Sequence, residues 1–244
     1  MTPKIKFLIS RQKDLSTLFS FIEDSEYDEG RSLEWAVFNK YPQFKKYKKE
    51  KSIVISKAKA KRIIDIVYKK NSNTIEKNIQ IYKKNWREVE DVYYDLVKDL
   101  FGNQKWLKGK YIAYATIWGM YPRFLEDKTF HIPFKHKKES YVNVVIAHEM
   151  LHFMFYDYFY KKYPKYKNED NNYFSWYVTE IFNELIQNSP KWLKVFKNKT
   201  MGYPEHKEIV KKLANKYYRL EKINVSNIAD DIVKEVVKLN LPIT

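Results

Sequence analysis

The sequence predicts an α+β fold: a helical N-terminal layer, a few strands in the middle, then further helices. Three observations carry this expectation. Long stretches repeat their apolar residues every three or four positions, a short central region is rich in β-branched and aromatic residues, and neither an internal repeat nor a Gly/Pro/Ser-rich linker interrupts the chain. With 244 residues and 44% hydrophobic content there is enough material for one sizeable core, so residues 1–244 read as a single compact unit, mainly helical over 1–105, mixed over 106–200 and helical again over 201–244.

The N-terminal MTPKIKFLISR holds an apolar run of about four residues, short of the seven or so of a secretory h-region, and reads as a strand or an apolar anchor. Asp14 to Glu23 and Leu33 to Tyr47 have amphipathic helical spacing. Ser56 is placed to cap a helix reaching about Tyr68. From Thr74 to Leu100, Ile75, Ile79, Tyr82, Trp86, Val89, Val92 or Tyr93, Leu96 and Leu100 recur at three or four, and Gly102 ends the run. Tyr111 to Trp118 (YIAYATIW) and Thr129 to Phe134 (TFHIPF) read as strands, the second at a sheet edge because Pro133 has no N–H to give to a ladder. Ser140 can cap a helix to roughly Lys161, stopped by Pro164. A polar loop, Lys165 to Asn172, leads to a helix from about Tyr173 to Gln187, closed by Pro190, and helices near 205–222 and 226–239 finish the chain.

Composition bounds the chemistry. There is no cysteine, which excludes disulfides and thiolate metal sites and leaves His, Asp and Glu as ligands. The formal net charge is +16, with lysines spread along the whole chain, so a solvated Lys-rich surface is the first expectation and a polyanion such as nucleic acid or anionic lipid the second. The longest apolar stretch, Tyr141 to Tyr160, contains Asn143, His148, Glu149, His152 and Asp157, too many polar groups for a membrane span. A soluble, cytoplasmic protein is expected.

Those polar groups sit in VVIAHEMLHFMF, Val144 to Phe155, in a helix apolar nearly all round and therefore buried. A buried carboxylate or imidazole without a partner is costly. HEMLH, His148 to His152, supplies a reason for them. Residues four apart share one helix face, so both imidazoles can reach one metal ion, while Glu149, about 100° round the helix, can reach a water at that ion without ligating it. Two histidines and a carboxylate suit zinc with one position left for water. The third ligand must come from elsewhere. Asp157 points off the His148/His152 face, and Glu169 and Asp170 lie in a charged loop. Glu180 and Glu184, four apart in WYVTEIFNEL, border the apolar face of the next helix, and by phase alone Glu184 lies slightly closer to it.

An HExxH helix followed by a glutamate on a second helix resembles the gluzincin zinc metallopeptidases, the group that includes thermolysin. TEIFNE, Thr179 to Glu184, has the shape of their second motif, although Thr replaces Asn, Glu replaces Asp, and the 28-residue gap from His152 to Glu180 is long. The resemblance covers residues 129–187. It implies a zincin-like core with a small, mostly antiparallel sheet packed on the HExxH helix. It further implies one zinc ion held by His148, His152 and Glu180, Glu184 supporting a ligand histidine, and Glu149 as general base in peptide hydrolysis. It also implies a substrate-binding edge strand, for which Phe130 and Ile132 in TFHIPF are the candidates, and a donor to the developing oxyanion, for which Tyr203, His206 and Arg123 are candidates. His131 and His136 are expected to be ordinary strand and loop histidines.

Two other functions compete. The HEMLH string is also similar to the active-site helix of Spartan-type DNA–protein crosslink proteases, which with the net charge implies a DNA-associated metalloprotease; their third ligand is a histidine soon after the helix, and no histidine lies between His152 and His206. The other is a zincin-like binding module without catalysis.

Overall fold

The computed structural model describes residues 2–23, 34–49, 52–168 and 172–239; Leu33, Glu169 and Asp170 lie outside them. The fold is α+β, and the chain divides into two compact units.

One unit comprises Lys4–Lys84 and Lys110–Val142. It holds strand β1 (Ile5–Ile9), helix α1 (Arg11–Glu23), the two-residue strands β2 (Lys48–Lys49) and β3 (Ser52–Ile53), and most of helix α2 (Lys57–Arg87). It also holds strands β4 (Tyr111–Thr116), β5 (Arg123–Phe124) and β6 (Thr129–Pro133). The main sheet has the order β1-β4-β6-β5. β1 pairs β4 in parallel, β4 pairs β6 in parallel, and β5 pairs β6 antiparallel.

The sheet is therefore mixed, and the expectation of a mostly antiparallel one is corrected. Parallel partners need a crossover connection of a dozen or more residues. The helical stretch between β1 and β4 is such a connection, so the N-terminal segment enters the same sheet as β4. β6 is not an edge strand either: β4 flanks it on one side and β5 on the other, with Phe130 registered against both Ala113 and Arg123. Pro133 is tolerated because it is the last residue of β6, where one missing donor interrupts no ladder.

A buried carboxylate ties this unit together. Asp14 on α1 accepts from the Tyr68 hydroxyl of α2 at 2.6 Å, from Thr116 Oγ1 at the end of β4, and from the Ile117 amide at 3.2 Å. The Trp118 indole donates to the Asp14 carbonyl at 2.8 Å. Burial still pushes the Asp14 carboxyl up to about 6, against the lowering effect of those donors.

Leu33 to Tyr47 does not form the expected α-helix over its described part. Glu34–Phe38 is a π turn and Pro42–Tyr47 a 3-10 turn, the proline falling at the start of the second. Conversely, the helix expected to stop near Tyr68 runs on to Arg87. Asn71 does not break it, because its Nδ2 donates to the Val67 carbonyl of its own helix at 2.7 Å.

The other unit comprises Met1–Pro3, Asn85–Gly109 and Asn143–Thr244. It holds helix α3 (Glu90–Phe101) and helix α4, which spans Tyr141–Lys162 and lies in this unit from Asn143. Four more helices follow: α5 (Asn172–Gln187), α6 (Pro190–Phe196), α7 (Lys207–Tyr217) and α8 (Val225–Val237). α3 ends at Gly102, whose N–H still bonds the Lys98 carbonyl at 2.7 Å and whose φ of 62° then turns the chain out of the helix. Pro190 closes α5 but also opens α6, since a proline is pre-set for the first turn of a helix. Asn224 caps α8 through the amides of Ser226 and Asn227. Among the described residues no helix is long and apolar enough to cross a membrane.

Candidate metal centre

α4 and α5 are pinned side by side by both apolar and polar contacts. The rings of Phe155 and Phe182 stack at 3.6 Å, three residues beyond His152 and two beyond Glu180. Asn183 Nδ2 donates to the His148 carbonyl at 2.9 Å, and Gln187 Nε2 donates to the Val144 carbonyl at 3.1 Å. Donors one turn apart on α5 thus meet acceptors one turn apart on α4, running in opposite directions. That fixes the register between the two helices and sets Glu180 across from the two histidines.

The result is a tight triangle of donor atoms. His148 Nε2 and His152 Nε2 are 3.0 Å apart, His148 Nε2 lies 3.2 Å from Glu180 Oε2, and His152 Nε2 lies 3.3 Å from Glu180 Oε1. His152 is fully buried and Glu180 nearly so. Lone-pair atoms this close repel unless a proton or a metal cation is shared among them. Around a tetrahedral zinc with bonds of about 2.0–2.1 Å, neighbouring donors sit about 3.3 Å apart. The three residues fit that requirement in type, distance and burial, and this group can hold a metal ion.

The surroundings favour a cation. Burial pulls His148 down, but the hydrogen bond and charge of Glu180, the charge of Glu149 and the Gln187 contact outweigh it and leave its pKa raised. The carboxylates that favour an imidazolium there, Glu180 and Glu149, also attract a metal cation. Gln187 Oε1 lies 2.8 Å from His148 Nδ1. Because its amide nitrogen is committed to the Val144 carbonyl, Gln187 presents an acceptor to His148. With the Nδ1 proton given to Gln187, Nε2 is the nitrogen that faces Glu180 and His152 and can carry a second proton or meet a cation.

Glu184 does not take the place the resemblance implies. Its carboxylate lies against Gly202, where an added Cβ would fall 1.7 Å from Oε2. Burial pushes its pKa up, the His148 charge opposes this, and the Glu180 charge adds to it. The side chain that meets His148 Nδ1 is Gln187 instead, seven residues beyond Glu180 and so two turns along the same face. That spacing was present in the sequence, but a glutamine closing a helix gives no signal without its partner.

Glu149 is 5% exposed, and its charge acts on His148. His206 is fully buried, with ring centroids 4.2 Å from Tyr177, 5.2 Å from Tyr203 and 5.7 Å from Trp176. Burial holds its pKa below the ordinary histidine value, while Glu205 and Glu180 push the other way. Tyr203 is 40% exposed, its ring 4.9 Å from Trp176. Asp157 is engaged by Gln104 Nε2 at 3.1 Å and Lys161 at 2.6 Å.

The remaining candidates belong to the unit that holds the sheet. Phe130 and Ile132 are fully buried core residues of β6, so neither side chain is presented to a substrate. Arg123 lies in β5. His131 is buried between the rings of Tyr114 and Phe124, each 6.0 Å away, and His136 stacks on Tyr141 at 4.9 Å.

Compared with family models, curated proteins and solved structures, the chain matches none. The functional reading therefore rests on the geometry of these residues.

Proposed function

We propose that this chain is a zinc-dependent peptidase of zincin type, its ion held by His148, His152 and Glu180 and its general base Glu149. The observation that carries the reading is the triangle of two Nε2 atoms and one carboxylate with edges of 3.0 to 3.3 Å on a buried HExxH helix. When bound, the ion polarises the scissile carbonyl and brings the pKa of a water molecule toward about 7.

The chain's own residues supply the rest. Glu149 takes the proton of the attacking water on its carboxylate and returns it to the leaving amine nitrogen. Gln187 holds His148 in the tautomer that keeps Nε2 available. The apolar residues around the motif (Ile146, Leu151 and Phe155 are fully buried) keep bulk water out and the helix rigid. His206, kept neutral at pH 7 by burial, offers an N–H to a developing oxyanion, and Tyr203 beside it offers a hydroxyl.

The test is metal analysis of the purified chain by mass spectrometry, followed by hydrolysis of an unfolded protein substrate such as casein. One zinc per chain and cleavage abolished in Glu149→Gln are expected. A chain without a stoichiometric divalent metal would instead be a binding module on the same fold.

A further inference from the structure

One helix gathers several cations on a single face. Helix α2 runs unbroken for 31 residues. One face of it is buried, formed by Ala60, Ile64, Val67, Ile75, Ile79 and Tyr82. At 100° per residue, Lys59, Arg62, Lys69, Lys70, Lys77 and Lys84 all fall within an arc of about 100° on the opposite face. Five of the six are exposed lysines and the sixth an exposed arginine. Between Lys59 and Lys84 that arc holds three other residues, Ile66, Asn73 and Gln80, and no Asp or Glu. The nearest acids, Asp65 and Glu76, sit on its flank, and Asp65 is paired with Arg11 at 3.2 Å. Among the described residues none of the six forms an ion pair. Six like charges on one helix face create a positive field that attracts a polyanion.

We propose that this face of α2 binds the phosphate backbone of double-stranded nucleic acid. From Lys59 to Lys84 the row spans about 37 Å at 1.5 Å per residue, close to the 34–36 Å of one duplex turn. A straight, stiff row of cations suits a straight, stiff polyanion. The carboxamides of Asn73 and Gln80, interleaved with the cations, are also phosphate donors. A single strand would call for aromatic stacking platforms, and the arc contains no aromatic residue. A membrane would call for apolar side chains to insert. The arc offers only Ile66, and the helix's own apolar face is already committed to the core. The recognition is of charge and shape, without base readout, and is independent of the metal centre.

Fluorescence anisotropy of the full-length chain with a labelled duplex of about 20 base pairs, at salt from about 50 to about 200 mM, tests this. Six phosphate contacts give a slope of log K against log salt of about −5. Replacing Lys69, Lys77 and Lys84 together by Gln should lower the steepness by about 2 to 3 and weaken binding at every salt concentration. A control carrying Lys194→Gln, Lys199→Gln and Lys211→Gln loses the same net charge from exposed lysines elsewhere and should keep most of the wild-type slope. Equal losses in the two variants, or no salt-dependent binding by the wild type, overturn the proposal. So does stripe-dependent binding to phosphatidylserine vesicles without binding to the duplex. Circular dichroism of both variants confirms that a loss of binding is not a loss of fold.

Discussion

Gln187 sets the proton of His148. Its Oε1 faces the histidine Nδ1 at 2.8 Å because its Nε2 is held by the Val144 carbonyl at 3.1 Å, so one carboxamide both locks α4 to α5 and points the His148 Nε2 at Glu180 and His152. Replacing it with Leu removes the acceptor but keeps the size. Zinc affinity, measured by competition with a chromophoric chelator, should fall about 10- to 100-fold, the usual effect of losing such a support. Unchanged affinity would mean that packing alone orients the ring.

The two glutamates of α5 should part company in a metal assay. Glu180→Gln should lose stoichiometric zinc, because the site needs the carboxylate's charge and both of its oxygens face the histidines. Glu184→Gln should keep it. The opposite outcome would reassign the third ligand.

Glu149→Gln should keep its zinc and its melting temperature while hydrolysis falls by at least about 10²-fold, the lower range for loss of a general base. Retained activity in this variant would remove Glu149 from the mechanism.

Gly202→Ala should destabilise the chain by up to about 1 kcal/mol, because the new methyl would displace the carboxylate end of the Glu184 side chain from its place against Gly202. Shortening the opposing side chain in the double variant Gly202→Ala/Glu184→Ala should recover most of that loss. Additive effects in chemical denaturation would show that the two positions do not touch.

His131 should make the chain acid-sensitive. Burial, helped by the Lys13 charge, lowers its pKa from 6.5 to about 3, so the folded state holds it neutral. The unfolded chain takes up that proton first. The stabilising effect is fully present above pH 6.5 and is lost as pH falls toward 3, at up to about 1.4 kcal/mol per pH unit. Between pH 6.5 and 5 this amounts to about 2 kcal/mol, and His131→Phe should show a correspondingly shallower decline. Equal slopes in denaturant titrations of the two proteins would rule the effect out.

Much of this was legible in the chain itself because it is local. The 3.6-residue turn alone puts His148 and His152 on one face with Glu149 beside it, and the caps and breakers at Ser140, Pro164 and Gly102 mark real helix ends. The absence of cysteine confines any metal to His, Asp and Glu before any fold is considered. Where local signals were weak they misled. The helix expected to stop near Tyr68 runs on through Asn71 to Arg87, and Pro133 looked like an edge and ends an inner strand. Asn71 stays helical through its bond to the Val67 carbonyl one turn back, and Pro133 is tolerated because it is the last residue of its strand.

What only the tertiary structure decided is what lies across from each face. Helix phase places Glu180, Glu184 and Gln187 along neighbouring stripes but does not say which of them meets α4. The carboxamide bonds to the Val144 and His148 carbonyls fix the register, Gly202 receives the Glu184 carboxylate, and Glu180 is left facing the two histidines. Likewise, the strand sequences carried no information on direction, and β1, β4 and β6 became parallel because the crossovers between them set it. Periodicity reports which side of an element is buried. The partner on that side is chosen by contacts distant in sequence, such as those joining 144 to 187 and 184 to 202.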